Sequence, residues 1–141
     1  MIQEVISTQA PKAIGSYSQA VVVGDLIFCS GQIAINPVTG QLNDGYIKDQ
    51  TKQVLENLKS VLKAAGGDIA TVLKTTVYLV NMDDFTEMNS VYETFFKKPY
   101  PARSTVQVVK LPKNASIEID CIALVNNNKR HCSKSCGCHN S

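Results

Sequence analysis

The chain has 141 residues, of which 14 are basic and 12 acidic, giving a formal net charge of +2. This length fits one domain with a moderate core, which oligomerisation would stabilise further. Three of the positive charges and no acid lie in residues 127–141, which leaves 11 basic against 12 acidic residues elsewhere, so the body lacks the basic surface that nucleic-acid binding requires.

The N-terminus and the cysteines indicate the compartment. Residues 1–6 lack the basic start and apolar run of a signal peptide, and no uninterrupted apolar stretch is long enough to cross a bilayer. Cys29 and Cys121 stand singly in apolar runs, while the other three cysteines lie in the last ten residues, so no disulfide framework is predicted. We therefore expect a cytoplasmic protein.

The first third of the chain predicts a short opening strand, an ordered loop over residues 7–18 and a hairpin. Apolar runs at residues 20–23 and 26–29 are joined by Gly24-Asp25, and glycine first in a two-residue connection is typical of a type II′ turn. The second run ends at Ser30-Gly31-Gln32, which is either a simple bulge or a place that offers a hydroxyl and backbone N–H groups to a polar ligand.

Two amphipathic helices are predicted on either side of another strand. Apolar positions from Ile47 follow a helical period until Gly66-Gly67 ends the first helix. Residues 72–80 are β-branched and aromatic, which favours a strand. Asp84 and Glu87 resemble a capping box for the second helix. The buried stripe of that helix is predicted to contain Phe85, Met88, Tyr92 and Phe95 or Phe96.

An arginine and a glutamate stand out in the last two predicted strands. Arg103 opens one apolar strand, and Glu118 lies near the start of another, over residues 117–125, which is apolar on both faces toward its end and is therefore predicted to be central. A Pro-Lys-Asn turn at residues 112–114 separates them, so we expect both residues in one hairpin. Either Glu118 faces solvent while Arg103 caps a loop, or Arg103 binds a carboxylate and Glu118 orients water.

The elements together predict one α+β domain, with two helices on one face of a mostly antiparallel sheet. Strands at residues 21–29 and 117–125 carry apolar residues in both alternating sets, which is more than a sheet covered on one side requires. The uncovered face therefore needs a partner.

Several blocks of the sequence resemble the RidA/YjgF family of imine deaminases, in the family's order and from the N-terminus to about Val125. They are Ala-Ile-Gly-Ser-Tyr-Ser-Gln-Ala at residues 13–20, Phe-Cys-Ser-Gly-Gln-Ile at 28–33, Gln-Thr-Lys-Gln-Val-Leu-Glu-Asn-Leu at 50–58, Thr-Val-Tyr-Leu-Val-Asn-Met-Asp-Asp-Phe at 76–85, Pro-Tyr-Pro-Ala-Arg-Ser-Thr-Val-Gln-Val at 99–108 and Ile-Glu-Ile-Asp-Cys-Ile-Ala at 117–123. The resemblance implies a homotrimer of chorismate-mutase-like subunits, with active sites at the subunit interfaces.

The resemblance also implies hydrolysis of 2-imino or 2-enamino acids, such as 2-iminobutanoate and 2-iminopropanoate, to 2-keto acids and ammonia, which protects pyridoxal-phosphate enzymes. Arg103 would hold the substrate carboxylate and Glu118 the attacking water, with no metal or cofactor because the imine is already electrophilic. Substrate-binding roles are implied for Tyr17, Ser30, Gly31, Asn89 and Thr105. Many relatives have cysteine where this chain has Thr105, so a thiol role does not transfer and only a backbone contact is implied there.

The resemblance stops near residue 126, so we expect a deaminase domain over residues 1–126 and a basic, disordered tail over residues 127–141. Soft metal ligands in the tail are His131, Cys132, Cys136, Cys138 and His139. Their spacing does not match the paired C-x2-C pattern of zinc sites. Three other functions stay open: non-catalytic binding of small carboxylates, ribonuclease or translation-inhibitor activity, and metal handling or redox chemistry by the tail.

Overall fold

The computed structural model describes residues 1–126, which form a sheet covered on one face by two helices. The elements are β1 (Gln3–Val5), β2 (Ala20–Val23), β3 (Leu26–Gln32), α1 (Ile47–Ala64), β4 (Val72–Leu79), α2 (Phe85–Phe95), β5 (Ala102–Gln107) and β6 (Ile117–Leu124). The predicted tail and its candidate metal ligands lie outside the described residues. Neither helix within residues 1–126 has the length and apolar character needed to cross a lipid bilayer.

The six strands lie in the order β1-β2-β3-β6-β4-β5, and every neighbouring pair is antiparallel except β4 and β5. This confirms the predicted α+β class and the mostly antiparallel sheet. The β2–β3 hairpin closes with Val23 opposite Leu26. Gly24 has a φ of 59° while Asp25 keeps a negative φ, which confirms the type II′ turn.

Helix α1 supplies most of the layer above the sheet. Its buried apolar residues are Ile47, Val54, Leu55, Leu58, Val61 and Leu62. Each such side chain contributes roughly 1.5–3 kcal/mol on burial. The helix ends as predicted: Gly66 adopts a φ of 87°, and the Gly67 N–H donates to the Leu62 carbonyl at 2.9 Å.

The start of α2 differs from the prediction. The Asn81 side chain accepts a hydrogen bond from the Asp83 N–H at 3.0 Å and caps a 3₁₀ turn, Met82–Asp84, that leads into the helix. Asp84 already has helical φ and ψ of −78° and −4° and makes no capping bond, so the predicted Asp84–Glu87 capping box is wrong. The predicted stripe is confirmed. Its buried members are Met88, Tyr92 and Phe96, with Phe85 and Phe95 partly buried.

The predicted hairpin of the last two strands is also wrong. Helix α2 carries the chain from β4 to β5, which pairs parallel with β4, and β4 pairs on its other edge with β6. Residues 108–116 pass across the end of β4 and include the 3₁₀ turn Pro112–Asn114. Strand β4 therefore separates Arg103 from Glu118, whereas β6 is central, as predicted.

Candidate functional site

Arg103 is held in place on the edge strand β5. Its Nη1 donates to the Asn89 Oδ1 at 2.7 Å. Its guanidinium carbon lies 4.7 Å from the ring centroid of Tyr92 and 5.3 Å from that of Phe85, which are cation–π distances. Phe85, Asn89 and Tyr92 follow an i, i+4, i+7 spacing on one face of α2, so this helix face braces the arginine. The exposed guanidinium keeps further N–H donors for a ligand.

Tyr92 is itself fixed from below. Its hydroxyl and the Thr75 hydroxyl share a hydrogen bond of 2.8 Å, and Thr75 lies opposite Arg103 in the β4–β5 pair. Burial raises the pKa of Tyr92, although the Thr75 hydrogen bond and the Arg103 charge act in the opposite direction. The Tyr92 phenol therefore stays neutral at physiological pH, and the guanidinium of Arg103 contacts the face of an uncharged ring.

Thr105 is two residues along β5 from Arg103, and the alternation of side chains in a strand puts it on the same face. Its Oγ1 is shielded from solvent and has no hydrogen-bond partner. A buried unpaired hydroxyl costs about 1–3 kcal/mol. We call Phe85, Asn89, Tyr92, Arg103 and Thr105 the arginine cluster.

Glu118 lines a separate cavity of about 460 Å³, away from the arginine cluster. The walls come from the loop before β2, from the end of β3 and from the Pro112–Asn114 turn. Residues that line this cavity include Lys12, Tyr17, Ser30, Gly31, Lys113 and Glu118. We call this space the glutamate cavity. It brings together four of the residues that the sequence predicted for the site.

The end of β3 is shaped by the Glu118 side chain. The β3–β6 register shifts between Cys29 and Gln32, so Ser30-Gly31 forms the bulge that the sequence left open. A Cβ built on Gly31 would lie 2.7 Å from Cδ and 2.9 Å from Oε2 of Glu118. Real Cβ atoms essentially never come so close, so a side chain at position 31 would displace the end of the flexible Glu118 side chain from its place in the cavity.

Ser30 and Tyr17 fix the cavity wall through the neighbouring loop. The Ser30 hydroxyl donates to the Ser18 carbonyl at 2.6 Å, so its proton is used within the protein while its oxygen can still accept. The Tyr17 hydroxyl accepts from the Ile14 N–H at 3.4 Å, and the side chain is 51% exposed. Tyr17 thus presents its ring at the cavity mouth.

The environment of Glu118 favours its protonated form. Burial raises the pKa of Glu118, and the charge of Asp120, two residues away on the same face of β6, raises it further. Asp120 accepts a hydrogen bond from the Tyr78 hydroxyl at 3.1 Å, which keeps the second carboxylate beside the first. A carboxylate with a raised pKa is a stronger base than an ordinary glutamate and a competent proton donor once protonated.

The structure does not bring Arg103 and Glu118 together within one chain. In the sheet register Thr75 is level with both Arg103 and Cys121, whereas Tyr78 is level with Glu118. Three residues and two strand spacings separate the two positions, about 10 Å along the strands and about 10 Å across them. Arg103 points to the helices, as its contacts with α2 show. Glu118 alternates with the buried Ile117 and Ile119, so it points to the open face.

The predicted site residues therefore fall into two groups. Asn89, Arg103 and Thr105 belong to the arginine cluster, and the remaining four belong to the glutamate cavity. Sequence reasoning assigned Phe85 and Tyr92 to the core and missed their ring contacts with the arginine. Their spacing from Asn89 on α2 was the available signal. Sequence reasoning also gave no role to Asp120 or Tyr78.

The chain is similar to known proteins over nearly all its described length. A family profile described as Endoribonuclease L-PSP matches residues 7–125. A RutC family protein of Pyrococcus horikoshii is 53% identical over 86% of this chain and 98% of its own. Human 2-iminobutanoate/2-iminopropanoate deaminase is 48% identical over 88% of this chain and 91% of its own. The structure of E. coli TdcF with bound serine has a TM-score of 0.83 at 39% identity, covering 88% of this chain and 99% of TdcF.

Proposed function

The chain belongs to the Endoribonuclease L-PSP family, which includes the RidA/YjgF proteins, and we propose that it hydrolyses 2-imino acids to 2-keto acids and ammonia. The substrates would be 2-iminobutanoate and 2-iminopropanoate, the compounds in the names of its mammalian relatives. The observation that carries the proposal is the pairing of functions in one chain: a braced guanidinium at Arg103 and a carboxylate of raised pKa at Glu118.

The complete site would be formed by two copies of the chain. A substrate of four carbons cannot touch Arg103 and Glu118 of one chain, because these residues lie on opposite faces of the sheet. The open face exposes Phe28 and Val106 at 39% and 41%, which suits it to contact another subunit. We therefore propose a homotrimer of chorismate-mutase-like subunits, in which the arginine cluster of one subunit faces the glutamate cavity of the next.

Arg103 would bind the substrate carboxylate. Its planar fork forms two parallel charge-assisted hydrogen bonds with a carboxylate, a geometry that a lysine does not reproduce. Asn89 and the two rings hold the fork in one orientation before substrate arrives, so little side-chain entropy is lost on binding. The backbone at Thr105 would contact the same end of the substrate.

Glu118 would perform the proton transfers. Its carboxylate accepts a proton from water as the water oxygen bonds to the carbon of the protonated imine, which produces a neutral tetrahedral amino alcohol. The protonated Glu118 then delivers this proton to the nitrogen. The carbon–nitrogen bond breaks as the hydroxyl proton passes back to Glu118 and the keto group forms, and the released ammonia takes that proton and leaves as ammonium. One water is consumed and the carboxylate is regenerated. Tyr17, Ser30 and Gly31 would enclose the substrate and aim the water.

The wider setting is part of the same proposal. Removal of reactive imines would protect pyridoxal-phosphate enzymes, and a cytoplasmic location would put the protein beside the enzymes that release them. Residues 1–126 would form the deaminase domain, with residues 127–141 as a separate tail.

A second candidate is a non-catalytic binder of small carboxylates. The observation that favours it is the structure of TdcF, which was solved with serine bound. Such a protein would use the arginine cluster and would have no need for a base in the glutamate cavity.

The direct test measures ammonia release from 2-iminobutanoate and 2-iminopropanoate that a threonine/serine dehydratase generates in the assay. Wild-type protein should accelerate the release above the spontaneous rate. If folded protein gives no acceleration but binds serine or 2-ketobutanoate in calorimetry, the deaminase proposal is wrong and the binder replaces it.

A further inference from the structure

A second and larger cavity lies at the opposite end of the sheet from the glutamate cavity. It occupies the space where β4 and β5 begin and β6 ends, and its volume is about 880 Å³. This size is within the range of ligand sites for small molecules. Residues of the C-terminal half of α1, the segment after α2 and the Ile69–Thr71 turn line it. The reaction proposed above uses none of them.

Four lysines line this cavity from two sides. Lys59 and Lys63 are one turn apart on α1, while Lys97 and Lys98 follow α2. Among the described residues that line the cavity, Asp68 is the one carboxylate. Its Oδ1 accepts the Ile69 N–H at 2.7 Å and so caps the neighbouring 3₁₀ turn. We call this space the lysine groove.

The negative C-terminal ends of the two helices offset only part of this positive charge. Helix α1 leads into β4 and α2 leads back from it, so both helices place their C-terminal ends at the lysine groove. Each C-terminal end carries roughly half a negative charge. These two ends and Asp68 together offset about two of the four lysine charges. A local excess of about two positive charges remains, which matches a dianion.

The remaining wall of the lysine groove combines apolar side chains with the polar residues Thr71, Thr94 and Asn126. Ile69, Leu73, Phe95 and Val125 line it, and none of them is fully buried in the core. Lysines are compact, mobile point charges that suit phosphate, whereas a planar carboxylate is better held by an arginine fork. We propose that the lysine groove binds a small phosphate monoester whose apolar or aromatic body rests on these four apolar side chains.

The test titrates phenyl phosphate into the full-length, isotopically labelled protein and follows backbone amide signals by NMR. Binding should saturate, shift signals of residues that line the lysine groove, and be at least about fivefold tighter than for inorganic phosphate, because the ring adds apolar contact. Lys59→Gln/Lys63→Gln should weaken binding about tenfold. Lys48→Gln/Lys52→Gln removes the same charge from the other end of α1 and should leave it unchanged.

Four results would overturn the proposal that the lysine groove binds a phosphate monoester. Equal affinity for inorganic phosphate would reduce it to a charged patch, and equal affinity for phenol would make the phosphate irrelevant. Shifts at the arginine cluster would assign the ligand to the other site. Failure to saturate at millimolar concentrations would leave no site at all. Each result is independent of deaminase activity, which this titration does not use.

Discussion

The arginine cluster and the glutamate cavity place opposite charges in opposite surroundings. Arg103 stands on an edge strand, exposed to solvent and clamped by rings. Glu118 stands on a central strand, half-buried beside a second carboxylate. A guanidinium stays charged in any of these settings, so an anchor can be exposed and needs only rigidity. A general base gains strength when it is withdrawn from water, so Glu118 needs the cavity.

The largest effect is expected at the base. Glu118→Gln keeps the shape of the side chain but cannot accept a proton, so kcat should fall about 10²- to 10⁴-fold while KM changes little. Steady-state imine hydrolysis measures both constants. Glu56→Gln, on the exposed side of α1, is the matched control and should behave as wild type. Near-normal turnover by a folded Glu118→Gln protein would remove Glu118 from the mechanism.

Arg103→Lys should have the next largest effect and should act on binding. The charge is kept while the fork, the Asn89 bond and the ring stacking are lost, so kcat/KM should fall about 10- to 100-fold, mainly through KM. The same assay gives this split. A fall in kcat without a rise in KM would mean that the arginine acts on the chemical step instead.

Gly31→Ala should disturb the glutamate cavity and spare the arginine cluster. The added methyl group would collide with the Glu118 carboxylate, so kcat should fall about tenfold through misplacement of the base. Combined with Glu118→Gln, the alanine should cost nothing more, since both changes act on one group. Additive losses would show that Gly31 acts separately from Glu118.

Asp120→Asn should have the smallest effect, a change in pH dependence. The Asp120 charge raises the pKa of Glu118, and the base works only above that pKa. Removal of the Asp120 charge should therefore lower the pKa of Glu118 and move the acidic limb of the kcat/KM profile to lower pH. Other groups near Glu118 are Tyr17, Tyr78, Lys12 and Lys113. Tyr78→Phe, which keeps the Asp120 charge, should shift the limb less. NMR titration should show the pKa of Glu118 falling more in Asp120→Asn than in Tyr78→Phe. An unchanged Glu118 pKa in Asp120→Asn would contradict this account.

The sequence predicted local structure better than strand pairing. Helix periods, the Gly24-Asp25 turn and the Gly66-Gly67 stop depend on neighbouring residues, and each was predicted correctly. Whether β5 pairs with β6 depends on where α2 returns the chain, and no local sequence signal indicates that position. Sequential strands are neighbours in only about two-thirds of cases. The apolar turn-bounded pattern of residues 103–125 was therefore compatible with a hairpin that does not form.

The residues of the candidate site stay a prediction from motif resemblance, and the sequence did not give their geometry. Motif resemblance named Arg103 and Glu118 without their faces, because facing depends on the register through β4. The close approach of Glu118 to Gly31 depends on a side chain of β6 reaching the end of β3, and the ring contacts of Arg103 depend on how α2 packs. The spacing of Phe85, Asn89 and Tyr92 on α2 was a sequence signal for the ring contacts, whereas the contact between Glu118 and Gly31 leaves no mark in the local sequence pattern.

The central claim is that each active site combines two chains, and mixed oligomers test it most directly. Arg103→Ala and Glu118→Gln chains are co-expressed, and native mass spectrometry establishes that mixed oligomers form. Each parent should be nearly inactive. At equal mixing, about a quarter of the interfaces join an intact arginine cluster to an intact glutamate cavity, so about a quarter of wild-type activity should return. Mixed oligomers no more active than their parents would contradict the two-chain site.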